Sequence, residues 1–165
     1  MTEIFVGIDP GASGAIALYN PVTSKIEVED MPTATMNIAG KNRRRVIEPV
    51  LAEIIRGWYS IHDLFAVVEQ VGAMPGQGVT SMFSFGQSFG IVTGVLAGVG
   101  IPFETVTPQH WKKITRTPKG KDGSRAMASK LFPKQADLFR LKKHDGRSDA
   151  VMLAMTAQVL RFHEK

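Results

Sequence analysis

Three carboxylates stand where this sequence passes from one element to the next. Asp9 closes the apolar run Ile4-Phe5-Val6-Gly7-Ile8, Glu69 closes Leu64-Phe65-Ala66-Val67-Val68, and Asp149 stands ahead of Ala150-Val151-Met152-Leu153-Ala154. An acid ending a buried strand is costly without a partner. If the two strands are neighbours, Asp9 and Glu69 meet at one end of a sheet. Asp149 opens an apolar helix and can face the same place. Like charges brought together repel, and divalent cations relieve the repulsion. An all-oxygen donor set suits Mg²⁺ or Mn²⁺ rather than zinc or copper. Each acid also has a plain reading: a turn cap for Asp9 before Pro10-Gly11, a surface strand end for Glu69, a helix cap or dipole partner for Asp149. Those readings lose force jointly, because all three acids sit at element boundaries beside small or apolar residues.

The elements that must position these acids follow from patterning. Residues 4–9, 15–19 and 26–31 read as strands separated by the turns Pro10-Gly11 and Asn20-Pro21, which fits an antiparallel meander. Residues 32–42 read as a polar, mobile connection. Residues 43–58 carry Val46, Val50, Ile54 and Trp58 at helical spacing. A strand is expected over 64–68, a loop over 72–78, a long apolar helix over 81–97 and a strand over 102–106. A short basic helix surrounds Trp111, a Lys/Gly/Pro loop covers 117–123, and helices are expected over 124–132 and 149–162. The short early links force antiparallel pairing, and the later helical crossovers favour parallel pairing. The expected fold is α/β, a mixed five-stranded sheet with helices on its faces.

The 165 residues suit one domain. There is no cysteine, which excludes disulfides and cysteine-ligated zinc, haem and iron–sulfur sites. Charges or turn residues are expected to keep every apolar run short of a membrane span. The start Met1-Thr2-Glu3 lacks the basic region of a signal peptide, so a cytoplasmic protein is expected. The net charge of +5 is unevenly spread. Residues 112–147 hold 12 Lys and Arg against 3 Asp, giving 12 − 3 = +9, and the remainder is 8 − 12 = −4. Such a stretch is either a solvated lysine-rich face or a strip that follows phosphates.

Val6-Gly7-Ile8-Asp9-Pro10-Gly11, then Val67-Val68-Glu69-Gln70-Val71, then Asp145-Gly146-Arg147-Ser148-Asp149-Ala150 resemble, in this order and spacing, the RuvC Holliday junction resolvases of the ribonuclease H-like superfamily. The Asp-Gly-Arg-Ser-Asp-Ala form and the short chain look more like the phage-type branch. Phe85-Gly86-Gln87-Ser88-Phe89-Gly90 is similar to the family's helix start after the glutamate. The resemblance covers residues 4 to about 160, hence one ribonuclease H-like nuclease domain over 1–165.

The resemblance implies a crossover junction endodeoxyribonuclease of DNA recombination and repair. It would act as a homodimer in a bacterial host's cytoplasm or nucleoid, without membrane or nucleotide cofactor. Each subunit would nick one strand of a four-way junction, leaving a 5′-phosphate and a 3′-hydroxyl. Two Mg²⁺ (or Mn²⁺) ions per site would be held by Asp9, Glu69, Asp149 and a fourth ligand. The family places that ligand three residues before the last Asp, where this chain has Gly146. Asp145, four residues back on the same helical face, is favoured over His144; a helix N-cap is its plain alternative. For the catalytic lysine, Lys121 is preferred among Lys112, Lys113, Lys119 and Lys121, with Lys113 as a backbone contact; both also fit as phosphate anchors. Arg125, Arg43 and Arg44 are further DNA contacts, or, for the Arg43-Arg44-Arg45 run, a solvated helix start. Met74 is placed as a wedge in the junction-probing loop.

Phe83, Phe85 and Phe89 read as core or dimer contacts, Trp111 as an anchor of its helix, and His62, His110 and His163 as surface residues. Dimerisation is expected from glycines four apart on the long helix and from Val92, Val95, Leu96 and Val99. Three alternatives remain: a broader branched-DNA or flap endonuclease, a non-catalytic junction-binding module, and an actin-like kinase, whose phosphate loop Ile8 to Gly14 resembles but whose two-domain architecture needs a longer chain.

Overall fold

The computed structural model describes residues 3–70, 72–73 and 75–163. In chain order the strands are β1 (Glu3–Asp9), β2 (Ala15–Asn20), β3 (Lys25–Asp30), β4 (Thr33–Ile38), β5 (Lys41–Val46), β6 (Asp63–Glu69) and β7 (Phe103–Val106). The α-helices are α1 (Glu48–Tyr59), α2 (Val79–Val99), α3 (Pro108–Ile114), α4 (Gly123–Leu131) and α5 (Asp145–His163), with short 3-10 turns at Pro133–Phe139 and Lys142–His144.

The main sheet has the order β3-β2-β1-β6-β7. β1, β2 and β3 pair antiparallel, while β6 runs parallel to β1 and β7 parallel to β6. This is the mixed five-stranded sheet that the patterning implies. Strand alternation splits the core into two layers. Phe5, Tyr19, Phe65 and Val67 pack with Trp111, Ala128 and the apolar face of α5. Ile4, Val6, Ile8, Ile16, Leu64 and Val68 pack with Leu51 and Ile55 of α1 and Val92 and Leu96 of α2. Helices therefore cover both faces.

Gly7 decides how closely α5 approaches. A Cβ there would lie 2.0 Å from the Ala150 carbonyl oxygen and 2.1 Å from the Ala154 nitrogen. The helix backbone thus rests directly on β1, and Asp149 on its first turns lies near the end of that strand.

Three expectations are corrected. Residues 32–46 are not a loose connection leading into a helix: β4 and β5 form a separate hairpin, in register from Thr33↔Val46 to Ile38↔Lys41. The chain reverses at Ala39 and Gly40, both at positive φ (50° and 75°), the conformation that two-residue hairpin turns require. Arg43, Arg44 and Arg45 are consequently strand residues, and α1 starts only at Glu48. Second, α5 begins at Asp145 rather than Asp149, which places Asp149 within the helix. Third, Gln70 to Phe103 contains no charged residue. The 21-residue α2 is long and apolar enough to cross a membrane by length and composition. Its glycines and serines do not interrupt the helix, because Ser88, Val92 and Leu96 are anchored in the core.

Candidate active site

Parity brings the acids together. Phe5, Gly7 and Asp9 alternate onto the α5 side of the sheet, as do Phe65, Val67 and Glu69. β1 and β6 are in parallel register through Ile8↔Val68, so Asp9 and Glu69 follow at the same sheet end. Asp149 joins them from α5. Asp9, Asp145 and Asp149 line a cavity of about 530 Å³, with Arg43, Arg44 and Phe85 among its other walls.

Burial and mutual repulsion hold these acids towards their neutral forms. Asp9 is pushed up to about 7, first by loss of water and next by the charge of Glu69, with Asp149 adding to it. Its Oδ1 accepts a hydrogen bond from the Gly11 N–H at 3.2 Å, which opposes the shift. Glu69 is raised by burial and by Asp149, and Asp149 by burial and by Asp145. A site that raises three carboxylates together favours a multivalent cation over three protons at neutral pH. The oxygen-only donors fit Mg²⁺ or Mn²⁺. Among the described residues, no three His, Cys, Asp or Glu side chains are grouped closely enough to hold a metal ion as they stand; Asp9, Asp145 and Asp149 line an open cavity, and Glu69 lies beside Asp9 at the sheet end.

Two neighbours temper the acids. Trp111 is fully buried and donates its indole N–H to Glu69 Oε2 at 2.6 Å. Lys112 lies 5.2 Å from the centre of the Trp111 ring, and its charge lowers the affinity of both Glu69 and Asp149 for protons. Ser124 supplies a side-chain hydrogen bond to Asp149. Lys112, rather than Lys121, is thus the lysine whose charge reaches these carboxylates. Lys113, Lys119 and Lys121 are exposed along α3 and the following loop. Trp111 does anchor its helix. Its bond to Glu69 has no sequence signal beyond an apolar ring beside basic residues.

The position three residues before Asp149 is closed on steric grounds. At Gly146 a Cβ would lie 2.5 Å from the Ser13 carbonyl oxygen and 2.8 Å from Gly14 Cα. No side chain fits three residues before Asp149. Asp145, one residue earlier, reaches the cavity wall, but it is shared. Arg125 Nε lies 2.7 Å from Asp145 Oδ1 in a contact too bent for a hydrogen bond. The same guanidinium also pairs with Asp122 and donates to the Arg140 carbonyl at 3.4 Å. His144 is turned elsewhere: it is buried, and its Nδ1 accepts the Leu141 N–H at 3.3 Å.

The arginines expected to meet DNA sit on the hairpin. Arg44 donates from Nη2 to Thr33 Oγ1 at 2.8 Å and from Nη1 to Ser13 Oγ at 3.5 Å, which ties β5 to the turn after β1. Met74 lies outside the described residues. Phe83 is 72% exposed, so it is not a core residue, whereas Phe89 packs against the core. Val92 and Leu96 are fully buried within the chain and offer nothing to a second copy. The α2 face carrying Gly86, Gly90, Gly94 and Gly98 is open, with nothing within 4 Å of an added Cβ.

Comparisons with known proteins agree with this architecture. No family model matches the chain. A segment of 96 residues, 57% of the chain, is 35% identical to the chloroplastic Holliday junction resolvase MOC1 of Chlamydomonas reinhardtii, and it spans 11% of that protein's length. The structure of T. thermophilus RuvC in complex with a Holliday junction substrate superposes with a TM-score of 0.66 at 14% identity, covering 98% of this chain and 96% of the other. A second Thermus thermophilus RuvC structure gives 0.57 at 16% identity with the same coverage. The chain therefore has the fold of these RuvC structures, and the likeness in fold extends over nearly all of it.

Proposed function

We propose that this chain is a metal-dependent, structure-selective endonuclease that resolves four-way DNA junctions. The observation that carries the reading is the convergence of Asp9, Glu69 and Asp149, from three elements of a RuvC fold, beside a cavity walled by Arg43 and Arg44.

Asp9, Glu69 and Asp149, with Asp145 as the fourth ligand, would hold two Mg²⁺ (or Mn²⁺) ions. Bound there, the ions would supply Lewis acidity to an attacking water and to the departing 3′-oxygen. The chain's own groups arrange the rest. Trp111 holds one Glu69 oxygen and so fixes the carboxylate at the end of β6, beside Asp9. Lys112 adds positive charge on the side of Glu69 and Asp149, where charge develops on the phosphoryl group. Arg43 and Arg44 receive the strand, and Lys113, Lys119 and Lys121 continue a basic surface along it. In the overall step the water oxygen bonds to phosphorus and the bond from phosphorus to the 3′-oxygen breaks. The water loses a proton to solvent and the 3′-oxygen gains one, leaving a 5′-phosphate and a 3′-hydroxyl. A two-fold homodimer would present two such sites, one for each strand to be cut.

The test is cleavage of labelled four-way, three-way, flap and linear DNA by the wild type and by Asp149→Asn, with and without Mg²⁺. Four-way junctions should be cut preferentially, only by the wild type and only with metal. Preference for flaps would replace the reading with a general debranching nuclease, and binding without cutting would replace it with a junction-binding module.

A further inference from the structure

A second depression, of about 300 Å³, lies beside the carboxylate cavity and shares Ser13, Gly14 and Arg44 with it. Its character is opposite. Arg44, Lys143 and Arg147 bring three positive charges against one carboxylate, Asp30. That carboxylate is already spent: Asp30 Oδ1 and Oδ2 accept from Arg147 Nε and Nη2 at 2.7 and 2.8 Å. The pairing fixes the Arg147 guanidinium as a fork. Its third nitrogen is held by the Leu138 carbonyl at 3.4 Å, so the group is pre-set at the pocket wall.

His144 completes the donor set. Its Nδ1 accepts the Leu141 N–H, so in the neutral ring the proton sits on Nε2, which is left as a donor. Lys143 is exposed and forms no ion pair among the described residues. The walls thus offer N–H donors, a net charge of +2 and no free carboxylate. That chemistry suits a singly charged phosphodiester oxygen. The shared rim at Ser13, Gly14 and Arg44 says which phosphodiester: an anion here and one at the carboxylates would be neighbours on one strand, with Arg44 between them.

We propose that the pocket formed by Arg44, Lys143, His144 and Arg147 is a binding subsite for the DNA backbone phosphate next to the one that is cut. It rests on the endonuclease reading and adds a registration device to it. The carboxylate cavity carries acids that repel a phosphate until metal is present, whereas this pocket attracts one without metal. The strand is positioned here first, and the neighbouring bond is thereby delivered to the acids.

The test uses four-way junctions carrying a single uncharged methylphosphonate at each phosphate flanking the mapped cut. Binding is measured in the Asp149→Asn background, so that the DNA stays whole. One flanking position should lose about tenfold in affinity, the scale of a hydrogen bond to a charged group. Lys143→Gln should cost about the same and lower the slope of log K against log salt by about one. Combined, the two changes should cost little more than either alone. Additive losses at every position, or an unchanged salt slope, would overturn the subsite while leaving the endonuclease reading intact. If the protein binds no junction, that reading fails, and the pocket is tested by titrating pyrophosphate against the His144 side-chain ¹⁵N signals. A shift that Lys143→Gln abolishes supports an anion site, and no shift overturns it.

Discussion

Replacing Asp9 by Asn should make the metal-free protein more stable. Asp9 is held at about 7 in the fold against an ordinary value of 3.8. Between those values the folded chain keeps a proton that the unfolded chain has released. The unfolded state therefore binds fewer protons, and stability falls as pH rises through this window. The full contribution is present below about pH 4 and lost above about pH 7. At ~1.4 kcal/mol per tenfold change in proton affinity, the carboxylate costs at most about 4 kcal/mol at pH 8. Asn keeps an oxygen for the Gly11 N–H but brings an amide NH₂ that needs acceptors, which returns about 1–3 kcal/mol. A net gain of about 1–3 kcal/mol remains, or several degrees in Tm for a chain of this length. Urea or thermal unfolding in EDTA at pH 8 and at pH 4 measures it. The variant should be the more stable at pH 8, and the gap should close or reverse at pH 4. Mg²⁺ at pH 8 should stabilise the wild type far more than the variant. A variant no more stable at pH 8, with the same pH profile as the wild type, would refute the claim that buried like charges load this site.

Trp111→Phe keeps the packing but removes the donor to Glu69. Its Mg²⁺ requirement for cleavage should rise several-fold with the fold intact by circular dichroism; an unchanged requirement means that the indole only packs. Arg125→Gln frees Asp145 from its ion pair, so Mn²⁺ binding followed by electron paramagnetic resonance should tighten, whereas unchanged binding argues against Asp145 as a ligand. Gly146→Ala places a Cβ 2.5 Å from the Ser13 carbonyl oxygen and should cost at least about 2 kcal/mol in urea unfolding; a neutral result would mean that the turn after β1 yields easily.

The acids were legible because each ends or opens an apolar run, and strand parity then fixes the face they share. The hairpin of β4 and β5 was not. Its turn is Ala39-Gly40 rather than Asn-Gly, and the arginine run has no apolar alternation to mark a strand. Val46 belongs to that strand yet falls into helical step with Val50 and Ile54, which carried the helix too far upstream. Gly146 reads as a departure from the family's motif in sequence and as a steric necessity in space, since only the fold brings Ser13 against it. The Trp111–Glu69 bond joins residues 42 apart in sequence, and no local pattern records it. Val92 and Leu96 looked available for a partner because helical apolar spacing does not say which neighbour covers it.

The most direct measurement of the central claim is mapping of cuts on a labelled four-way junction in Mg²⁺ by the wild type and by Asp149→Asn. Nicks in two opposed strands, with 5′-phosphate and 3′-hydroxyl ends, are expected from the wild type alone. Undiminished cutting by Asp149→Asn, or cutting in EDTA, would contradict that claim.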